Sequence, residues 1–389
     1  MVDKIDPYKN KEKYLRWKQN IQGKIPQISR ENSEIILQYL KDMELGINIS
    51  MSNKKGSRSY TRLNTLRNRM VFLAKHFKTR FNKNLIEISE SELCSFFTSM
   101  RNGEIKRQDG RKYKCVRDYV KIYKAFWHWY QKIMSKEGQQ VPDITQYLDT
   151  TGDKPEWVYL TEEQIKQLCD EAKYEYSVLI MFLFDTGIRA PTELVNLKVS
   201  DLSQDCKELN IKDEISKTFG RKIKLMLCSD LIKKYIKIKK LKSSDQLFPI
   251  NPYGVNNYLK RLGKRVLGDV KSPAGQKYSE LTLYDFRHCS CCYWLLRYKS
   301  ESALKFRFGW KKSDKIHYYS EMLGMRDTIS EEDLLIDLTK TEIEKRLVHA
   351  ETKNQILTDE VDTLREQMEK ILRLVNHAYG DAILIKNEV

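Results

Sequence analysis

Several short stretches in the second half of this 389-residue chain hold side chains suited to chemistry on a phosphate. Asp185-Thr-Gly-Ile-Arg189 closes an apolar run. An arginine just past a glycine projects from a rigid turn, and its planar fork matches two phosphate oxygens. Ser216-Lys217-Thr-Phe-Gly-Arg221 lies between two strand-like runs. A lysine at such a hairpin tip reaches into an adjacent groove, as a phosphate contact or as an acid. Tyr284-Asp-Phe-Arg287-His288 opens a helical stretch, and Phe308-Gly-Trp310 precedes Ile316-His317-Tyr318-Tyr319-Ser320. Taken singly, each has an ordinary explanation: Arg189 as a salt-bridge partner, Lys217 as a solvated turn residue, Tyr319 as a core aromatic. Their order in one segment is what carries information.

Composition narrows the partner. Lys and Arg number 70 against 53 Asp and Glu, a net charge of +17. Residues 331–389 hold 14 acids and 8 bases, so the first 330 residues carry 62 bases and 39 acids. An excess of that size points to a polyanion, nucleic acid before an acidic membrane surface. The longest apolar run, Val178 to Phe184, falls far short of the ~20 residues of a membrane span, and the charged N-terminus has no signal-peptide core. The eight cysteines do not form a disulfide framework. Cys and His do not recur at zinc-finger spacing, and neither a metal nor another cofactor is expected. The cluster Cys289, Cys291 and Cys292 reads as packing. These features suit a cytoplasmic, nucleoid-associated protein.

Elements must position those residues. Residues 1–26 read as an extended basic arm. Helical periodicity predicts helices beginning near Ile35 and ending at Gly46, then over 57–77, 89–101 (capped by Ser89 or Ser91, with Glu92 in its first turn) and 112–134. Together 27–136 read as an all-helical domain whose aromatics form a core. Its basic face carries Lys54, Lys55, Arg58, Arg62, Arg67 and Arg69, and a second basic stretch holds Arg107, Arg111 and Lys112; apart from Arg67, these are the candidate DNA contacts. Residues 137–157, with Gly138, Pro142, Gly152 and Pro155, read as a linker. Beyond it, Thr161 and Gln164 make a capping box. Helices fit 161–174, 176–185, 229–239, 252–267, 283–298 and 301–309, and short strands fit 206–212 and 221–228. Residues 158–330 are thus a mixed domain, mostly helix with a small antiparallel sheet. In 331–389, Leu347, Asn354, Val361, Met368 and Val375 at position a, with Ile343, Ala350, Leu357, Leu364 and Ile371 at d, form a coiled-coil repeat. Asn at a favours a parallel two-stranded pairing; packing of the helix back on its own chain is the alternative.

The second domain resembles the catalytic domain of tyrosine recombinases, the phage-integrase family, over about residues 158–325. The region before it is similar to that family's SAM-like core-binding domain. The first box, T/S-G-x-R followed by E-L-x-x-L, is matched by Thr186-Gly-Ile-Arg189 and Glu193-Leu-Val-Asn-Leu197. The hairpin lysine is matched by Lys217, the H-x-L-R-H box by Tyr284-Asp-Phe-Arg287-His288, and L-G-H/W by Phe308-Gly-Trp310. Nine residues after Trp310 stands Tyr319, followed by Ser320; Tyr318 is the less favoured nucleophile. There are two departures. Tyr284 replaces the usual histidine, as in some archaeal integrases with Y-x-x-R, which suggests a mobile-element enzyme of an archaeal virus or plasmid. One extra residue separates Arg189 from Glu193, so Glu193 is not assured of its supporting place.

The resemblance implies a site-specific DNA recombinase. Tyr319 would attack a phosphodiester to give a 3′-phosphotyrosyl bond and a free 5′-hydroxyl, conserving the bond energy. Arg189 and Arg287 would clamp the non-bridging oxygens and Trp310 would donate its indole N–H. Lys217 would protonate the leaving oxygen, its pKa lowered by the two arginines, which would also push Tyr319 toward phenolate. Tyr284 or His288 would take the tyrosine's proton or orient the phosphate. The partners implied are double-stranded DNA and further copies of the chain, four on paired sites. The competing readings are a type IB topoisomerase-like relaxing activity and a catalytically silent DNA-bridging protein.

Overall fold

The computed structural model describes residues 4–47, 56–152, 154–298 and 300–323, and further on 347, 350–351, 353–355 and 357–369. Among these residues the architecture is mainly helical with one two-stranded antiparallel sheet, as the periodicities predict.

The first half is built from α1 (Asn10–Asn20), α2 (Arg30–Leu45), α3 (Tyr60–Phe81), α4 (Glu90–Asn102) and α5 (Val116–Lys136). Ser29, Ser59 and Ser89 each accept a backbone N–H at the start of α2, α3 and α4, and Glu92 completes a capping box with Ser89. These bonds satisfy amides that the first helical turn leaves without partners. Gly46 and Gly103 end α2 and α4 in the left-handed conformation. The apolar stripes meet in one core, with Phe77, Phe96, Tyr123 and Phe126 at its centre. Phe77 meets Phe96 edge-on at 5.0 Å. Each such ring removes roughly 200 Å² from water, about 5 kcal/mol of gross transfer free energy.

Two expectations change here. Residues 10–20 are helical, not extended. Tyr14 and Trp17, three residues apart, fall on one face of α1; Tyr14 is buried, and its hydroxyl donates to Glu44 at 2.5 Å. Two aromatic anchors outweigh an otherwise polar sequence. The stretch read as a linker is partly strapped to α5. Trp127 Nε1 donates to the Pro142 carbonyl at 2.9 Å, Gln131 to that of Val141 at 2.9 Å and Lys124 to that of Thr145 at 2.7 Å. Leu148 joins the helical core.

The second half contains α6 (Glu162–Glu171), α7 (Tyr174–Thr186), β1 (Glu208–Ile211), β2 (Arg221–Lys224), α8 (Ser229–Lys239), α9 (Pro252–Leu267), α10 (Asp285–Leu295) and α11 (Glu301–Phe308). Thr161 and Gln164 form the expected capping box. The strands pair from Glu208 opposite Lys224 to Ile211 opposite Arg221. They are shorter than predicted, for one local reason and one distant one. Cys206 has a positive φ of 56°, which ends extended structure before β1. After β2, the amides of Leu227 and Cys228 donate to Asp185 Oδ2 at 2.7 and 3.1 Å instead of to a strand. Asp185, buried at the end of α7, also pairs with Arg307 at 2.9 Å, so its charge is compensated where water cannot reach it.

The chain divides into two compact units, residues 1–294 with 301–313, and residues 295–300 with 314–389. The second contains α12 (Asp314–Met322) and a helical stretch over 357–369. Among the described residues no helix is long and apolar enough to cross a membrane.

Candidate active site

The site grows from two helix ends. α7 stops at Gly187, whose φ of 56° turns the chain toward Arg189. A Cβ at Gly187 would lie 2.3 Å from Phe308 Cε1, so only glycine fits this turn. The Arg189 side chain is 12% exposed. Its Nη1 donates to Glu193 Oε1 at 3.0 Å and its Nη2 to the Gly309 carbonyl at 2.7 Å. The Arg189 amide donates to Glu193 Oε2 at 2.8 Å. Glu193 therefore does support Arg189 despite the extra residue between them.

The second helix end is that of α11. The last carbonyls of a helix lack amide partners and carry the negative end of its dipole. Three in succession accept from three arginines on other elements. Arg221 Nε donates to the Arg307 carbonyl at 2.8 Å, Arg287 Nη2 to that of Phe308 at 2.7 Å and Arg189 Nη2 to that of Gly309 at 2.7 Å. Arg287, on α10, also donates from Nη1 to the Gly187 carbonyl at 2.6 Å. Gathering like charges has a cost that these acceptors offset. Burial lowers the Arg287 pKa, the nearby charge of Arg189 lowers it further, and Glu193 acts in the opposite direction.

Glu193 is the carboxylate at the centre. Arg221 grips it with both terminal nitrogens, at 3.1 and 2.8 Å, and neither side chain reaches solvent. Burial pushes the Glu193 carboxyl up, but the hydrogen bonds and charge of Arg221, with Arg189 behind them, bring it down to about 2.

Lys217 lies in the loop 212–220 between β1 and β2 and is exposed. Thr218 Oγ1 donates to the Gly309 carbonyl at 2.8 Å, the acceptor that Arg189 also uses. Gly220 N donates to Asp213 Oδ1 at 2.7 Å, which shapes the loop's return into β2. Trp310 stacks on Phe308 with ring centroids 4.9 Å apart. Tyr284 is exposed just before α10 and meets the edge of His288 at 5.1 Å, while His288 stacks on Trp157 at 4.7 Å. Arg189, Arg287, Trp310 and the Lys217 loop thus converge at the end of α11. Tyr318 and Tyr319 stand on α12, in the other unit, with rings 5.1 Å apart; Tyr319 is buried and Tyr318 half-buried.

Among the proposed DNA contacts, Arg69 lies over the Tyr119 ring at 4.7 Å and pairs with Asp118 at 3.3 Å. Arg107 pairs with Asp109 at 3.3 Å and Arg111 with Glu280 at 3.8 Å. Arg62 and Lys112 are exposed and Arg58 is half-buried; Lys54 and Lys55 lie outside the described residues. Burial raises the thiols of Cys289, Cys291 and Cys292, consistent with packing and not with reactivity. Among the described residues no group of three His, Cys, Asp or Glu side chains is placed to hold a metal ion.

Sequence reasoning had not assigned a role to Arg221 or Thr218. A signal for Arg221 was present: the alternation of β2 places Arg221 and Ile223 on the buried face, and an arginine there needs a carboxylate partner.

Residues 158–323 match the phage integrase family. No curated protein matches the chain by sequence. Among solved structures, the chain is similar to the Tn1549 transposon integrase in complex with transposon right end DNA, at 15% identity and a TM-score of 0.55, over 81% of this chain and 98% of that one. It is also similar to a lambda integrase(75-356) dimer bound to a COC′ core site, at 14% identity and a TM-score of 0.53, over 76% of this chain and 98% of that one. With the boxes converging at the end of α11, residues 158–323 are similar to the phage integrase family, and the chain shares the fold of these solved integrases.

Proposed function

We propose that the chain is a site-specific DNA recombinase that cleaves and rejoins strands through a 3′-phosphotyrosyl intermediate. The observation that carries this reading is the array of arginines on the final carbonyls of α11, with Arg189 and Arg287 on adjacent oxygens and the Lys217 loop tied to the same place. A guanidinium has five N–H donors, and the bonds described above use two from each of these arginines. The others meet the non-bridging oxygens of a scissile phosphate, where negative charge builds in the transition state. Tyr319 Oη attacks phosphorus and the bond to the 5′-oxygen breaks. Lys217 gives that oxygen its proton, and the indole of Trp310 donates to the phosphate. Tyr284, exposed and near enough to Arg287 to influence its charge, orients the phosphate or takes up the nucleophile's proton. The second strand reaction reverses these steps on a new 5′-hydroxyl. Double-stranded DNA as the partner is supported by the Tn1549 and lambda integrases, both solved with DNA, and by the net charge of +17.

The same reading includes self-association through the tail. Leu347, Leu357, Val361, Leu364 and Met368 hold one stripe of the heptad repeat, and each is 47–63% exposed. A stripe of that composition on a solvated helix suits a second copy of the same helix, and four protomers on paired sites fit a reaction that joins four strands.

The test is covalent trapping. The full-length protein is mixed with nicked duplexes from its gene's own genomic surroundings and run on a denaturing gel. An adduct that forms with the wild type and with Tyr318→Phe but not with Tyr319→Phe supports the assignment. Loss in Tyr318→Phe alone moves the nucleophile by one residue. DNA binding without any adduct favours the silent bridging protein.

A further inference from the structure

We propose that Arg221 is a positioning residue for strand cleavage: by gripping the inner side of Glu193 it keeps Arg189 turned toward the phosphate. The inference rests on the recombinase reading above.

The Arg221 side chain is fully buried, so it does not meet DNA itself. Its side-chain hydrogen bonds lead into the site: two to Glu193 and one, from Nε, to the Arg307 carbonyl at 2.8 Å. It stands opposite Ile211 at the first rung of the sheet, where the Lys217 loop closes. One residue therefore joins the base of that loop, the end of α11 and the carboxylate beneath Arg189. As a stability device such a pair is poor, because desolvating both charges consumes most of what their attraction returns. What it supplies is geometry.

The Glu193 carboxylate is divided between two arginines. Oε1 receives Arg189 Nη1 and Arg221 Nη1, with Ser216 Oγ at 3.5 Å, and Oε2 receives the Arg189 amide and Arg221 Nη2. The groups that face it are thus Arg189 from its own turn, Arg221 from β2, Ser216 from the loop and the charge of Arg287 from α10. Without Arg221, Glu193 stays buried but loses the largest influence holding it ionised. Its carboxyl then takes up a proton at a higher pH, and Arg189 loses its anchor as it does so.

The experiment follows adduct formation by the full-length protein on nicked duplexes from its genomic surroundings between pH 5 and 9, for wild type, Arg221→Met, Arg221→Lys and Arg221→Met with Glu193→Gln, with thermal melts alongside. Arg221→Met is expected to slow the reaction roughly 100-fold at pH 6 but only about 10-fold at pH 8.5, because the titration of Glu193 rises into the assayed range and moves the acid limb up. Arg221→Lys restores most of the rate, and the added Glu193→Gln removes the pH-dependent part. A folded Arg221→Met protein that matches wild type at every pH, or falls by one constant factor throughout, overturns the proposal. Should that variant melt below the assay temperature, Arg221→Lys decides: a smaller upward shift of the acid limb supports the proposal and an unmoved limb overturns it. A wild type that forms no adduct overturns the recombinase reading beneath it, an outcome distinct from an unaffected variant.

Discussion

Thr218 Oγ1 donates to the backbone carbonyl of Gly309 at 2.8 Å, which ties the loop carrying Lys217 to the end of α11. The general acid proposed there, on a long flexible stem, depends on where its backbone is held. Thr218→Val keeps the shape of the side chain and removes the donor. Adduct formation should slow by roughly 10-fold with DNA affinity unchanged, and the melt should report a loss of about 1 kcal/mol, the usual net worth of a neutral hydrogen bond. Single-turnover trapping beside a binding titration measures both.

Arg189 is the more exposed of the two boxed arginines, at 12% of its side chain. A contact that strengthens as charge builds on the phosphate contributes to rate and little to ground-state binding. Arg189→Ala should lower the cleavage rate by at least about 100-fold and weaken DNA binding only a few-fold. Equal losses in rate and affinity would make Arg189 a plain phosphate contact.

Glu193 makes the stability of the fold depend on pH. Its folded pKa lies near 2, below the ordinary carboxylate range. The stabilisation is therefore fully present above the unfolded value near 4.3 and is lost as pH falls toward 2. Glu193→Gln leaves buried Arg221 without its counter-charge and should cost about 3 kcal/mol at pH 7. The gap in melting temperature between variant and wild type should narrow below about pH 4.5. A gap of constant size down to pH 3 would show that the carboxylate's charge is not what holds the two arginines.

The tail offers a test of assembly separate from chemistry. Leu357→Asp with Leu364→Asp places charges on the apolar stripe and should shift the protein toward monomer in sedimentation runs. Deleting 340–389 should spare single-strand cleavage on nicked duplexes and reduce pairing of two sites in a gel-shift assay. Undiminished recombination after the deletion would remove the tail from the reaction.

Much of this protein was legible along the chain because it is decided locally. Ser89 with Glu92 and Thr161 with Gln164 set helix starts through bonds within a few residues. Gly187 had to end α7 because the turn needs a positive φ. The boxes around Arg189, Lys217, Arg287 and Trp310 were read through a family resemblance in their order along the chain. Other features depended on residues distant in sequence. Residues 10–20 became a helix because Tyr14 found Glu44 and the core. β2 ended where Asp185, about forty positions earlier, drew away the amides of Leu227 and Cys228. Glu193 kept its supporting place because Arg221 holds it from the inner side. Side-chain type and local spacing determine which groups are available. Only packing decides which carbonyl at a helix end receives which arginine, because a buried charge takes whatever partner the fold brings within reach.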